Sequence, residues 1–153
     1  MPKKKFNNSI RISNKLKISN NEKCFIVAEI SANHAGSLDL LKKTILKAKK
    51  VGVDAVKIQT YEADKITLNV KNKHFLIDDK SIWKGKQLYN LYKSAETPFH
   101  WHKEIFKFAK KNKVICFSAP FDISAVELLK KCNCPIYKVA SPEIEDLRLI
   151  EKI

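Results

Sequence analysis

Four short apolar runs, each followed by a stretch of helical period, constrain the fold of this chain more than any other feature. Residues 24–30, 53–60, 114–118 and 135–140 read as strands, rich in Val, Ile, Ala, Cys and Phe. Between them Leu38, Leu41, Ile45 and Ala48, then Trp101, Ile105, Phe108 and Ala109, then Ala125, Val126 and Leu129 recur at helical spacing, with lysines turned to water. Gly52 closes the first of these helices, Asp122 caps the third, and Thr97-Pro98 reads as an N-cap followed by proline at the first helical position. A brief helix is predicted over 87–93. Strand and helix alternating at this spacing imply parallel strands joined by right-handed crossovers.

Residues 1–23 are polar and Asn-rich, and Ile10, Ile12, Leu16 and Ile18 are spaced by two around Ser13-Asn14-Lys15, which predicts a β-hairpin. The expected division is thus a tail and hairpin, 1–23, followed by an α/β domain, 24–153. Residues 61–85 lose all period, and segments of that length in compact domains are commonly functional. Residues 147–153 begin an amphipathic helix without a Gly or Pro stop, so the chain reads as the first part of something longer.

Two architectures compete, an open doubly wound sheet and the N-terminal half of a TIM (β/α)8 barrel. No Gly-x-Gly-x-x-Gly follows the first strand, which weakens a dinucleotide crevice. Each strand carries a polar residue late on one face (Glu29, Lys57, Ser118, Lys138), and such residues suit the C-terminal mouth of a barrel. The expected fold class is therefore α/β: four βα units forming half of a TIM barrel, preceded by a hairpin.

Lys57 is the chemically informative residue. On the strand 53–60, Ala55, Lys57 and Gln59 share one side and Val56 and Ile58 the other. A buried ammonium is costly unless it meets an anion, which a ligand carboxylate or phosphate supplies. A core carboxylate, or snorkelling from the strand end, is the plainer explanation. Lys138 repeats the situation on 135–140. Two buried lysines aimed at one mouth repel, and a multiply charged anion between them relieves this, with Ser141 and backbone N–H groups adding neutral hydrogen bonds. Glu29, Gln59 and Glu143 stand at neighbouring strand ends, placed to orient a polyhydroxylated partner or to serve as acid and base. A Schiff-base lysine is the competing chemistry, and anion binding is preferred.

The net charge of +14, from 30 Lys and Arg against 16 Asp and Glu, invites a nucleic-acid reading. The lysines are spread over several helices instead of forming a stripe, and only Pro2-Lys-Lys-Lys5 is dense, so nucleic acid is not the expected partner. Cys24, Cys116, Cys132 and Cys134 form no CxxC pair and read as reduced thiols, with a zinc site at Cys132-Asn-Cys134 disfavoured. No apolar run reaches membrane-spanning length and no signal-peptide core follows the basic N-terminus. A soluble, cytoplasmic protein without a membrane partner is expected.

Phe25-Ile-Val-Ala-Glu-Ile-Ser-Ala-Asn-His-Ala-Gly-Ser37, Asp54-Ala-Val-Lys-Ile-Gln-Thr60, Cys116-Phe-Ser-Ala-Pro-Phe121 and Tyr137-Lys-Val-Ala-Ser141 resemble, in order, the strand-end motifs of the sialic acid synthase family. Ser31–Gly36 and Leu88–His102 are most similar to its pseudaminic acid synthase branch. The resemblance covers Phe25 to the end. It implies condensation of phosphoenolpyruvate with an amino-sugar aldehyde: Lys57, Lys138 and Ser141 hold phosphoenolpyruvate, with Ser118 and Asn33 among the substrate contacts. Glu29 and Gln59 lie beside the sugar, and Glu143 is near the reacting carbon. It also implies a homodimer and a divalent cation, Mn or Mg, as Lewis acid.

Two departures qualify the match. Ala119 stands where the family usually has Ser or Thr, and the family's metal-binding histidines belong to the second half of the barrel. His34, His74, His100 and His102 do not replace them, so no metal ligand is expected in this chain. A second chain completing the barrel, a sialic or legionaminic acid precursor as the sugar, and an inactive split-gene fragment remain open.

Overall fold

The computed structural model describes residues 9–13, 16–78 and 80–153. Strand β1 (Ser9–Ser13) pairs antiparallel with β2 (Leu16–Ser19), with Ile10 opposite Ile18. The hairpin follows from the two-residue apolar spacing, while Asn14, Lys15 and the Pro2–Lys5 cluster lie outside the described residues. Strands β3 (Val27–Ser31), β4 (Ala55–Thr60) and β5 (Ile115–Pro120) then form a parallel sheet in the order β3-β4-β5. The molecule is an α/β protein with β4 as the central strand.

Helix α1 (Leu38–Lys50) starts where the Ser37 hydroxyl accepts from the Leu40 N–H at 3.2 Å, with Asp39 in the first turn and Lys47, Lys49 and Lys50 in the last. These charges complement the helix dipole. The helix ends before Gly52, whose φ of +88° only glycine adopts freely. Among the described residues of the otherwise irregular 61–85 stretch, the helical pieces are a short turn of helix, α2 (Ala63–Ile66), and a 3-10 turn at Lys73–Phe75. Helix α3 (Leu88–Ala95) follows, close to its expected span.

Helix α4 (His102–Lys111) is preceded by a 3-10 turn, Phe99–Trp101, so proline does not sit at its first position as expected. Thr97 does not cap it either, because its hydroxyl is drawn to the ring of His34 at 3.2 Å. The tertiary contact satisfies a buried imidazole and prevails over the local cap. Asp122 does cap α5 (Ile123–Lys131), accepting from the Ala125 N–H at 3.0 Å.

One core joins the helix layer to the sheet. Leu41 and Ile45 of α1, Ile105 and Ala109 of α4, Leu129 of α5, and Ile30, Val56, Ile58 and Cys116 of the strands are buried together. Leu41, Ile45, Ile105 and Leu129 are fully enclosed, each contributing about 1.5–3 kcal/mol by leaving water. The sheet face bearing Val56, Ile58 and Thr60 is therefore the one turned to the helices, and alternation leaves Lys57 and Gln59 on the other.

The fourth strand expected over 135–140 is not formed as a strand. The segment lies beside β5 through one parallel bridge, Ser118 to Tyr137, and one hydrogen bond, Lys138 N–H to Ser118 O at 3.1 Å. Pro135 brings no N–H to a ladder, and among the described residues no further strand supports the outer edge. From Ser141 the chain passes through a 3-10 turn, Pro142–Glu145, into α6 (Leu147–Lys152), capped by Asp146 and anchored by fully buried Leu149.

Candidate functional site

The sheet face away from the helices carries a polar cluster at the C-terminal ends of β3 and β4. Glu29 and Lys57 are directly paired in register, and their side chains form an ion pair through Glu29 Oε2. The lysine side chain is 14% exposed and the carboxylate 47%. Lys57 thus has a carboxylate partner within the chain, the plainer of the alternatives its sequence raised. Glu29 is a weakly enclosed partner, however, and an ion pair this open contributes at most about 1 kcal/mol.

Ser31 completes the cluster. Its N–H donates to Glu29 Oε1 at 2.8 Å and its hydroxyl donates to Gln59 Oε1 at 2.7 Å. The strand register slips between Glu29 and Ser31, and Ser31 has φ of +56°, in the left-handed region that non-glycine residues rarely occupy. Sequence reasoning passed over Ser31. The only available signal was a small polar residue at a strand end, which does not foretell a bulge.

On the same face, Phe117 and Ala119 of β5 lie in register with Lys57 and Gln59. Ala119 is 1% exposed and offers no hydroxyl there. Because Tyr137 pairs with Ser118, alternation puts Lys138 on the Lys57 face, two strand spacings or about 10 Å away across β5. Lys138 is exposed, which corrects the expectation of two buried lysines. The segment that carries it is tied to the sheet by a single bridge and nothing described covers its outer side.

Ser118 is a second correction. The sequence places it with Glu29, Lys57 and Lys138 as a polar residue on one mouth, but it is fully buried on the helix-facing side, in register with Ile58. There it contacts Thr60 Oγ1 at 2.7 Å and Ile58 O at 3.1 Å, and Thr60 Oγ1 in turn meets His102 Nε2 at 2.8 Å. His102 Nδ1 faces Pro98 O at 3.1 Å, so the proton sits on Nδ1 and Nε2 accepts from Thr60. Desolvation lowers the His102 pKa to about 4, keeping the ring neutral.

Glu143 and Ser141 follow the 135–140 segment. Ser141 is exposed. Glu143 is half-buried, with Oε2 enclosed and without a partner among the described residues. Desolvation raises its pKa, with nearby Lys138 opposing the shift. Asn33 is exposed in the turn after β3, where its N–H donates to Ile30 O at 3.0 Å. The structure therefore brings Glu29, Lys57 and Gln59 into one cluster and Lys138 near Glu143, and leaves Ser118 apart. A cavity of about 540 Å3 lies elsewhere, lined by Phe106, Val114, Ile115 and Cys132 with lysines at its rim, and includes none of these residues.

Residues 44–153 match the family model described as NeuB family. The chain belongs to the NeuB family. It is 48% identical over 134 residues to pseudaminic acid synthase of Campylobacter jejuni, covering 86% of this chain and 39% of that protein. Pseudaminic acid synthase of Helicobacter pylori is 49% identical over 127 residues, covering 83% and 37%. The chain thus spans about two fifths of the length of these curated relatives. Among solved structures, the sialic acid synthetase of Leptospira borgpetersenii in complex with citrate superposes with a TM-score of 0.77 at 28% identity, covering 94% of this chain and 45% of that one.

The described donor set of this NeuB-family chain does not fit a divalent metal. Among the described residues no three His, Cys, Asp or Glu side chains stand together as a metal site would require. His34 is likewise engaged at both ring nitrogens, accepting from Gly36 N–H at Nδ1 and facing Thr97 at Nε2. The cysteines are single thiols, and burial raises the pKa of Cys116 to about 12 and of Cys134 to about 11. Among the described residues no helix is long and apolar enough to cross a membrane.

Proposed function

We propose that this chain is the N-terminal half of a TIM (β/α)8 barrel in a nonulosonic acid synthase, which joins phosphoenolpyruvate to an amino-sugar aldehyde. The observation that carries this reading is Lys57, an enclosed ammonium within the central strand β4 whose only described partner is the half-exposed carboxylate of Glu29. An incoming carboxylate or phosphate has the charge and hydrogen-bonding capacity to take Glu29's place, and in doing so releases Glu29 toward the sugar. Lys138 and Ser141, both exposed and following β5 on the neighbouring segment, supply further contacts to the same anion.

In the reaction, C3 of phosphoenolpyruvate attacks the aldehyde carbon. The new C–C bond forms as the carbonyl oxygen takes the electron pair and then a proton. Water adds to C2, and phosphate leaves with cleavage of its C–O bond. Glu143 suits proton transfer at the nascent alkoxide, because its enclosed Oε2 has no partner among the described residues and is open to a substrate oxygen. Gln59 and Asn33 orient the sugar.

The greater identity to pseudaminic acid synthases, 48% against 34% to a legionaminic acid synthase, favours the former type of amino sugar. The test is release of phosphate, with the product followed by mass spectrometry, for this chain alone and for the chain joined to a complete barrel. The joined protein is expected to release phosphate only when both substrates are present, and the chain alone to release none. Turnover by this chain alone, or phosphate release that does not need the sugar, overturns the proposal. An inactive fragment would stay silent in both forms.

A further inference from the structure

The geometry points to Ser31 as a positioning residue that sets Gln59 as a hydrogen-bond donor toward a substrate oxygen and holds Glu29 at its side. This inference rests on the reading of the Lys57 face as the substrate site. Ser31 combines a one-residue register slip, a left-handed backbone conformation and two hydrogen bonds to residues of that face. A serine in this conformation is strained, and such strain persists where the surroundings over-determine it. Here the surroundings are Glu29 and Gln59 themselves.

The chemical consequence is directional. A serine hydroxyl carries one proton, and it is given to Gln59 Oε1. That fills one of the two lone pairs of the amide oxygen and fixes the orientation of the amide, leaving the NH2 end turned away with no partner among the described residues. Gln59 therefore meets a ligand as a donor of two N–H groups, suited to a carbonyl, carboxylate or hydroxyl oxygen. Simultaneously the Ser31 N–H holds Oε1 of Glu29, leaving Oε2 for Lys57. When an anion draws Lys57 away, Glu29 keeps one fixed anchor and does not swing into solvent. Ser31 thus couples the two halves of the face without touching the substrate.

Ser31→Gly isolates this role. Glycine takes φ of +56° without strain and retains the N–H to Glu29, so only the hydroxyl is lost. This chain contains just two glutamines, Gln59 and Gln87, so glutamine-selective 15N labelling of this chain, alone or joined to an unlabelled remainder of the barrel, resolves the two side-chain amides. Gln87 is an internal control, since its NH2 donates to Asn69 Oδ1 and Val70 O away from Ser31. In Ser31→Gly the Gln59 amide signals are expected to shift while those of Gln87 stay in place, with thermal stability unchanged or raised.

Phosphoenolpyruvate and the amino sugar, titrated separately, are expected to move the Gln59 amide protons downfield in the wild type. Affinity for the ligand that does so should fall by about tenfold in Ser31→Gly, the worth of one oriented neutral hydrogen bond. In a Gln59→Leu background the same Ser31→Gly change should have no further effect on affinity. Unmoved Gln59 signals in free Ser31→Gly, an equal loss of affinity in the Gln59→Leu background, or a fall in stability with affinity retained each overturn the positioning role. Should neither ligand shift Gln59 in the wild type, the substrate-site reading fails, and with it the catalytic purpose of the clamp. The free-protein signals would still show whether Ser31 orients the amide.

Discussion

His102 makes a sharply defined expectation about acid stability. The ring is fully buried, its Nδ1–H donates to Pro98 O at 3.1 Å, and its Nε2 accepts from Thr60 Oγ1 at 2.8 Å. Burial holds the pKa at about 4 against an ordinary 6.5. Because the folded value is depressed, the neutral ring's contribution is fully present above pH 6.5 and is lost as pH falls toward about 4. At about 1.4 kcal/mol per pH unit this amounts to about 3 kcal/mol. His102→Phe removes the titrating group and its two hydrogen bonds, while the Thr60 hydroxyl keeps Ser118 and the Pro98 carbonyl keeps the Trp101 N–H, so the cost at pH 7 is about 1–3 kcal/mol. Urea unfolding of both proteins between pH 7 and pH 4 should show the difference shrinking by about 3 kcal/mol, since carboxylates common to both cancel. A difference that stays constant with pH, or a His102 ring titrating near 6.5 by NMR, would refute the reasoning.

Ile105→Ala, at the enclosed centre of α4, should destabilise by about 2–5 kcal/mol in urea unfolding, and a loss under 1 kcal/mol would place Ile105 outside the core. Glu143 has a raised pKa from burial, so folding favours its protonated form, a contribution present below pH 4.5 and lost as pH rises through the folded value. Glu143→Gln should therefore melt higher than the wild type at neutral pH and lose that advantage in acid, and a pH-independent difference would count against a desolvated carboxyl.

The sheet and its helices were legible because period and caps agree with the packing: Leu41, Ile45 and Ala48 recur on one face, and Asp122 begins a helix where a short polar residue should. Lys57 stood out as a charge inside an apolar strand, and the structure finds it at the centre of the polar cluster. Its partner was less visible, because register decides that Glu29 lies opposite it, and register is a property of two strands together. The same holds for Ser118, which a one-residue change of face takes from the mouth to the helix layer. The 135–140 segment has strand composition, yet a strand also needs neighbours, and it has one bridge. Ser31 was hidden because its role arises from a bulge that no local pattern announces.

The most direct measurement is the affinity for phosphoenolpyruvate of the complete protein with and without Lys57→Met, by isothermal titration, together with the melting temperature free of ligand. Methionine keeps the aliphatic stem, so packing should change little. Because Lys57 is paired with Glu29 in the free protein, removing it should cost at most about 1 kcal/mol of stability. Binding should weaken by about thirtyfold or more, since a buried charge-assisted partner of the anion is gone. Affinity retained while stability falls would show Lys57 to be a structural lysine, and would contradict the anion site on which the function rests.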